Sequence, residues 1–304
     1  GRIEAILSLG YAQAEAALGT LKKSINNKDK DIAYFSIIAL GQIHIVASAK
    51  ILLGFLKKRK IYHYKVFSVL ETFPAQIAEE VIKLTDDTDP QVRAWAIKLI
   101  SRFRAHSYIK KIEEMVFDKS EDVRASACDC LGEFGSKDAK DTLTKALNDD
   151  FWLVRVHAVK ALAKVLGKEC LPEVIGQIND ASLSVIDSLK NVVAEYIEAA
   201  LPYVEKFLYS NDEIARRVSV EALEASGYII KVFKDILTGS EEEEKRAKRL
   251  LEGLILSRAH FGLEGAMVGF TKEKRDKLLG VIRVINKEMA DYLEKGITTG
   301  RDGE

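Results

Sequence analysis

Proline is scarce in this chain, with four residues in 304, and so are the chain breaks that a β-sandwich or a disordered segment would need. Cysteine is scarce as well. The three, at 128, 130 and 170, make neither an even disulfide set nor a Cys-x-x-Cys metal pair. On a helix Cys128 and Cys130 point to different faces, so the thiols read as buried structural groups of a reducing compartment. No charge sign dominates, because Lys+Arg and Asp+Glu both total 46, and a global field for nucleic acid or membrane is thereby excluded. Also absent are an Asn-x-Ser/Thr sequon, a signal peptide and an apolar run long enough to span a bilayer.

What the chain has in abundance is internal repetition. Three stretches, DPQVRAWAIKLISRF from Asp89, SEDVRASACDCLGEFG from Ser120 and FWLVRVHAVKALAKVLG from Phe151, place Val-Arg ahead of a helical run. Arg93, Arg124 and Arg155 are 31 residues apart, and so are the aliphatics Ile100, Leu131 and Leu162. With these aliphatics as anchors the register extends both ways, to Leu9, Leu40, Leu70, Val192, Leu223 and Leu254, at intervals of 30 or 31. Four residues before each anchor the side chain is nearly always small, as in Ser36, Ala96, Ala127, Ala158, Ser188 and Ser219, which lets neighbouring helices approach. Seven residues before it, five of the nine copies carry Arg. Pairing with acids of the inter-helix turns, such as Asp89, Asp122, Asp149 or Asp212, would link adjacent repeats.

A further helix is expected ahead of each anchored one, near residues 12–25, 45–57, 75–84, 108–117, 139–147, 171–178, 202–208 and 229–237. Pro172 and Pro202 are placed near helix starts, where a missing N–H costs least, and Trp152 is placed in a turn, sealing a helix end. Glu241 to Glu244 open a helix whose dipole they favour. Thr271 is expected to cap a last helix over 272–295, with Leu278, Leu279, Ile282, Ile285, Met289 and Leu293 as its apolar stripe, followed by a frayed tail. The first anchor lies in a half repeat. Residues 1–70 also hold eleven basic against four acidic groups, so native sequence ahead of Gly1, including a membrane anchor, is expected.

The three quoted stretches resemble HEAT repeats of the short, roughly thirty-residue kind also found in phycobilisome lyase-like proteins. The resemblance covers residues 2–258 and is weakest around Leu70 and Val192. It implies an all-α, right-handed α-solenoid of about eight helix pairs over 1–260, with a C-terminal capping helix and tail over 261–304. It also implies a surface that binds other macromolecules.

Enzymatic signatures are missing: no phosphate-binding loop with Lys-Ser/Thr, no His-Glu-x-x-His and no Gly-x-Ser-x-Gly. No catalytic residue, cofactor or metal is assigned. Positions five and two before the anchor and two after it form one outward stripe, and HEAT-like solenoids turn that stripe to the concave side. There Phe35, Ile38 and Trp95, with Lys65, Lys98 and Arg102, read as an aromatic and basic groove for a protein or peptide partner. His157, Lys160 and Lys164 read as a basic face. The cluster from Lys57 to Lys60 is the candidate contact for anionic lipid. Residues 71–150 hold 17 acids against 12 bases, which disfavours nucleic acid. The reading is a cytoplasmic, non-catalytic protein-interaction scaffold. The alternatives are the soluble regulatory HEAT domain of a longer membrane-anchored protein and a HEAT-fold enzyme of lyase-like or DNA-repair type.

Overall fold

The computed structural model describes residues 1–13, 15–58 and 62–299, and all regular structure among the described residues is helical. The chain forms two compact units, Gly1–Leu166 and Gly167–Glu304. In the first, the anchored helices are Arg2–Tyr11, Lys30–Ile43, His63–Leu70, Pro90–Arg102, Glu121–Phe134 and Trp152–Leu166. The second continues with Leu183–Glu195, Glu213–Ala225 and Glu241–Leu256. Further helices, among them Val46–Lys58, Ile109–Met115, Lys140–Ala146 and Tyr228–Thr238, alternate with them.

The repeat positions explain the packing. Leu40, Leu70, Ile100, Leu131, Leu162, Leu223 and Leu254 are fully buried and Val192 nearly so, while Leu9 in the first half repeat is half-buried. Burying one such side chain stabilises the fold by about 1.5–3 kcal/mol. Small residues four positions earlier, Ala96, Ala127 and Ala158, are fully buried too. Neighbouring anchored helices touch most closely at glycines one residue past the anchor. A Cβ on Gly10 would lie 2.8 Å from the Ala39 Cα, and one on Gly132 would lie 3.0 Å from the Ala161 Cα.

The recurring arginine builds a ladder in the first unit. Arg93 donates through Nε and Nη2 to both carboxylate oxygens of Asp118, at 2.8 and 2.7 Å, and Arg124 makes the same fork to Asp149, at 2.7 and 2.8 Å. Each rung also reaches back to its own turn: Arg124 Nη1 donates to the Asp118 carbonyl at 2.9 Å, and Arg155 Nη1 to that of Asp149 at 2.7 Å. Asp118 thus joins two arginines, one by its side chain and one by its backbone. Its Oδ1 further accepts the Ser120 N–H, as Asp149 accepts that of Phe151. Of the four acids expected from sequence only Asp149 takes this role. Asp89 and Asp212 instead cap their own helices, and Asp122 stands exposed in a first helical turn.

Helix ends show why two copies looked weak. Four residues after the anchor the backbone turns left-handed at Gln13, His44, Arg104, Gly135, Gly227 and Arg258, and one residue later at Gly167. A left-handed residue there ends the helix and turns the chain. Behind Leu70 and Val192 the same position holds Pro74, at φ −71°, and Tyr196, at φ −108°, so those turns are built differently.

Four expectations are corrected. Pro202 lies inside the helix Ile197–Leu208, which starts more than a turn earlier than expected, whereas Pro172 does sit in a first turn. Trp152 seals nothing: it is the first residue of its helix and 48% exposed, and it is Phe151 whose ring lies 5.4 Å from the Arg124 guanidinium carbon. The last helix is two, Lys272–Ile285 and Lys287–Thr299, because Asn286 leaves helical geometry and accepts the Met289 N–H at 2.9 Å. Its stripe is buried apart from half-buried Ile285, but Thr271 makes no side-chain cap. The helix therefore reaches residue 299, and the rest of the expected tail lies outside the described residues. At Glu241–Leu256 the acidic start behaves as expected, with Ser240 and Glu243 closing a capping box.

Candidate functional site

Three consecutive copies in the first unit carry Trp95, Ser126 and His157 at one repeat position, five residues ahead of the anchors Ile100, Leu131 and Leu162. The helices Pro90–Arg102, Glu121–Phe134 and Trp152–Leu166 pack side by side, so these three side chains form a row. The middle one is small, and its Oγ turns back to donate to the Asp122 carbonyl at 2.8 Å. A groove of about 790 Å³ results, with Trp95 on one side and Leu153 and His157 on the other. Buried Ala94, Ala125 and Ser126 form its floor, and Thr88, Asp89, Pro90, Gln91, Lys98, Asp122 and Asp129 complete the lining.

Aromatic neighbours hold Trp95 in place from the preceding repeat. The His63 ring meets it edge-on, with centroids 4.7 Å apart and planes at 89°, and Phe67 lies at 6.3 Å. His157 is fixed from within the groove, its Nδ1 standing 2.6 Å from Asp129 Oδ1. Asp89 Oδ1 accepts the Gln91 N–H at 2.9 Å, so the helix that carries Trp95 is capped at the groove's edge.

Of the residues singled out from sequence, Trp95, Lys98 and His157 come together here. Arg102, Lys160 and Lys164 do not line the groove; all three are exposed, and Lys164 Nζ reaches Glu133 Oε1 at 2.5 Å. Phe35, Ile38 and Lys65 belong to a separate patch over Lys30–Ile43 and His63–Leu70, where Lys65 Nζ stands 5.5 Å from the Tyr34 ring centroid and Phe35 meets that ring edge-on. The expected basic character gives way to three carboxylates, from Asp89, Asp122 and Asp129, against one ammonium and one imidazole. Asp89 and Asp122 read from sequence as partners of the recurring arginine rather than as groove lining. The usable signal was the large, small, large alternation at an interval of 31.

The cluster from Lys57 to Lys60 lies largely outside the described residues; Lys57 itself reaches Asp87 at 3.5 Å. Among the described residues no three His, Cys, Asp or Glu side chains are grouped to hold a metal ion, and no helix is long and apolar enough to cross a membrane. The three cysteines are buried, and burial pushes the thiols of Cys128 and Cys130 up to about 12 and that of Cys170 to about 11.

The stacked helix pairs and their repeated anchors define an α-solenoid. A profile of HEAT repeats matches residues 78–163 and 109–185, so this part of the chain is similar to HEAT repeats, and the groove lies within the matched span. No curated protein sequence matches the chain significantly. Similar structures include an engineered protein at 15% identity, covering 97% of this chain and 95% of that one with a TM-score of 0.42. A chain in a homology model of the full-length AP-3 complex shares 14% identity over 98% of this chain and 68% of that one, with a TM-score of 0.51. A chain in the structure of Kap95p with RanGDP shares 12% identity over 97% of this chain and 48% of that one, also at 0.51.

Proposed function

We propose that the protein is a non-catalytic interaction scaffold that holds an extended segment of another protein in the groove between Trp95 and His157. The observation that carries this reading is the gap over Ser126. A tryptophan half-exposed at the edge of an unfilled 790 Å³ groove, held rigid by His63 and Phe67, is the kind of preorganised aromatic anchor around which binding energy concentrates. Three of the lining groups that could act in catalysis have structural partners: Asp89 caps a helix, and Asp129 and His157 hold each other. Kap95p, whose fold is similar, binds RanGDP, and a binding role for this solenoid is in keeping with that.

The test fills the groove without touching the repeat framework. A displayed library of random nonapeptides is selected on the wild-type protein and then challenged with Ser126→Trp, whose indole would occupy the gap. Selected peptides should lose at least tenfold in affinity on Ser126→Trp while the helical circular dichroism stays unchanged. Peptides that bind both proteins equally would refute the groove as the binding site.

A further inference from the structure

We infer that the groove over Ser126 selects a cationic side chain, arginine or lysine, of a peptide partner, seating it between the face of Trp95 and the carboxylate of Asp122. This inference rests on the reading of the groove as a binding site and adds the chemistry of its occupant. Three observations on the same surface lead to it.

The first is the state of the tryptophan. Three other rings, half-buried Tyr34, exposed Phe151 and buried Tyr228, each carry one of the protein's own cations, Lys65, Arg124 and Lys231, within 5.4 to 5.6 Å. Among the described residues no cation stands over Trp95, whose ring neighbours are the aromatic groups of His63 and Phe67. Indole is the strongest of the aromatic faces for attracting a cation, and a groove that desolvates the contact strengthens it.

The second is charge. The lining carries Asp89, Asp122 and Asp129 against Lys98 and His157. Asp129 is engaged by His157, and one Asp89 oxygen takes the Gln91 N–H, which leaves the exposed Asp122 carboxylate beside the opening. Helix N-termini line this end of the groove and by themselves would favour an anion. The acids of the first turns, Glu121 and Asp122, and the cap Asp89 offset that field.

The third is shape. The floor is Ala94, Ala125 and Ser126, small and nearly fully buried, so a long side chain can lie across it with its methylenes on apolar surface and its charged head at the acidic rim.

The same selections test this, with the peptide pools sequenced. In the pool lost on Ser126→Trp, Arg and Lys should be enriched several-fold over the starting library. Replacing the key cation of a selected peptide by citrulline or norleucine should weaken binding about tenfold. Asp122→Lys should weaken it further, and Trp95→Leu, which keeps an apolar wall but removes the π face, should also cost affinity. With Trp152→Phe in the background, Trp95 becomes the single tryptophan, and its emission should respond saturably to the bound peptide. Groove-dependent peptides that are neutral or acidic, or that bind Asp122→Lys unchanged, would overturn the cation assignment and leave the groove reading intact. A library yielding no peptide sensitive to Ser126→Trp would overturn both.

Discussion

If the arginine ladder is the principal polar fastening between repeats, Arg124→Ala should cost far more than deleting an exposed charge in the first unit. The side chains of Arg124 and Asp149 are each 12% exposed and joined by two charge-assisted hydrogen bonds of 2.7 and 2.8 Å, while a third bond of 2.9 Å satisfies the Asp118 carbonyl. Each charge-assisted bond contributes about 1.5–3 kcal/mol net, and orphaning a buried charge costs roughly 3–5 kcal/mol when water cannot reach it. Here a small exposed fraction lets water reach the stranded carboxylate, so a loss of about 2–4 kcal/mol is expected for Arg124→Ala. The control is Lys164→Ala, which removes a pair to Glu133 whose members are 56% and 55% exposed and which should cost less than about 1 kcal/mol. Urea unfolding followed by far-ultraviolet circular dichroism measures both, and the double variant Arg124→Ala, Asp149→Ala should show strong coupling. Equal costs for Arg124→Ala and Lys164→Ala would refute the ladder as a fastening.

Further outcomes follow from the same geometry. Burial alone would raise the Asp118 and Asp149 carboxyls, but hydrogen bonds from Arg93 and Arg124 and from the Ser120 and Phe151 N–H groups outweigh it and hold both below the usual range. A depressed folded value means that their stabilisation is fully present above the ordinary carboxylate range and lost as pH falls through the depressed one, so urea midpoints should drop below about pH 4. That drop should be smaller in Arg124→Ala; an identical acid profile would count against the assignment. Gly10→Ala should destabilise by about 1–3 kcal/mol because the new Cβ meets the Ala39 backbone. Gly54→Ala, on a helix with nothing within 4 Å of the added methyl, should instead gain up to about 1 kcal/mol by thermal melting. Cys128 and Cys130, buried and with thiols pushed up to about 12, should resist a disulfide reagent at pH 8 until urea unfolds the chain.

Much of the scaffold was legible because repetition turns packing into a pattern. A buried aliphatic recurs in nearly every copy, with a small residue four before it and a left-handed residue four after it in most, so the interval of 30 or 31 can be counted along the sequence. The ladder was half legible. The arginine recurs visibly, but its partner lies 25 residues onward, in the turn before the next anchored helix, and nothing local to Arg93 distinguishes Asp118 from Asp89 or Asp122. Pro202 misled because a helix interior can take proline where the lost N–H is tolerated, and the break at Asn286 was hidden by an apolar stripe that runs through it.

The candidate site was the least legible part, and the reason is physical. A groove is an absence of side-chain volume, and an absence shows only against the neighbours that frame it. Trp95 alone reads as an exposed aromatic, His157 alone as part of a basic face and Ser126 alone as filler. Side by side at one repeat position, the two larger residues frame a gap that the small one leaves open, and carboxylates that read as arginine partners become part of the groove's charge. In a solenoid the regular positions are bound by packing, since altering one disturbs contacts on both sides. The outward row carries no such obligation, so departures from the repeat can accumulate there without cost to the fold. The row Trp95, Ser126, His157 is where that freedom has produced a cavity, and it is the cavity, rather than any single residue, on which the proposed partner chemistry rests.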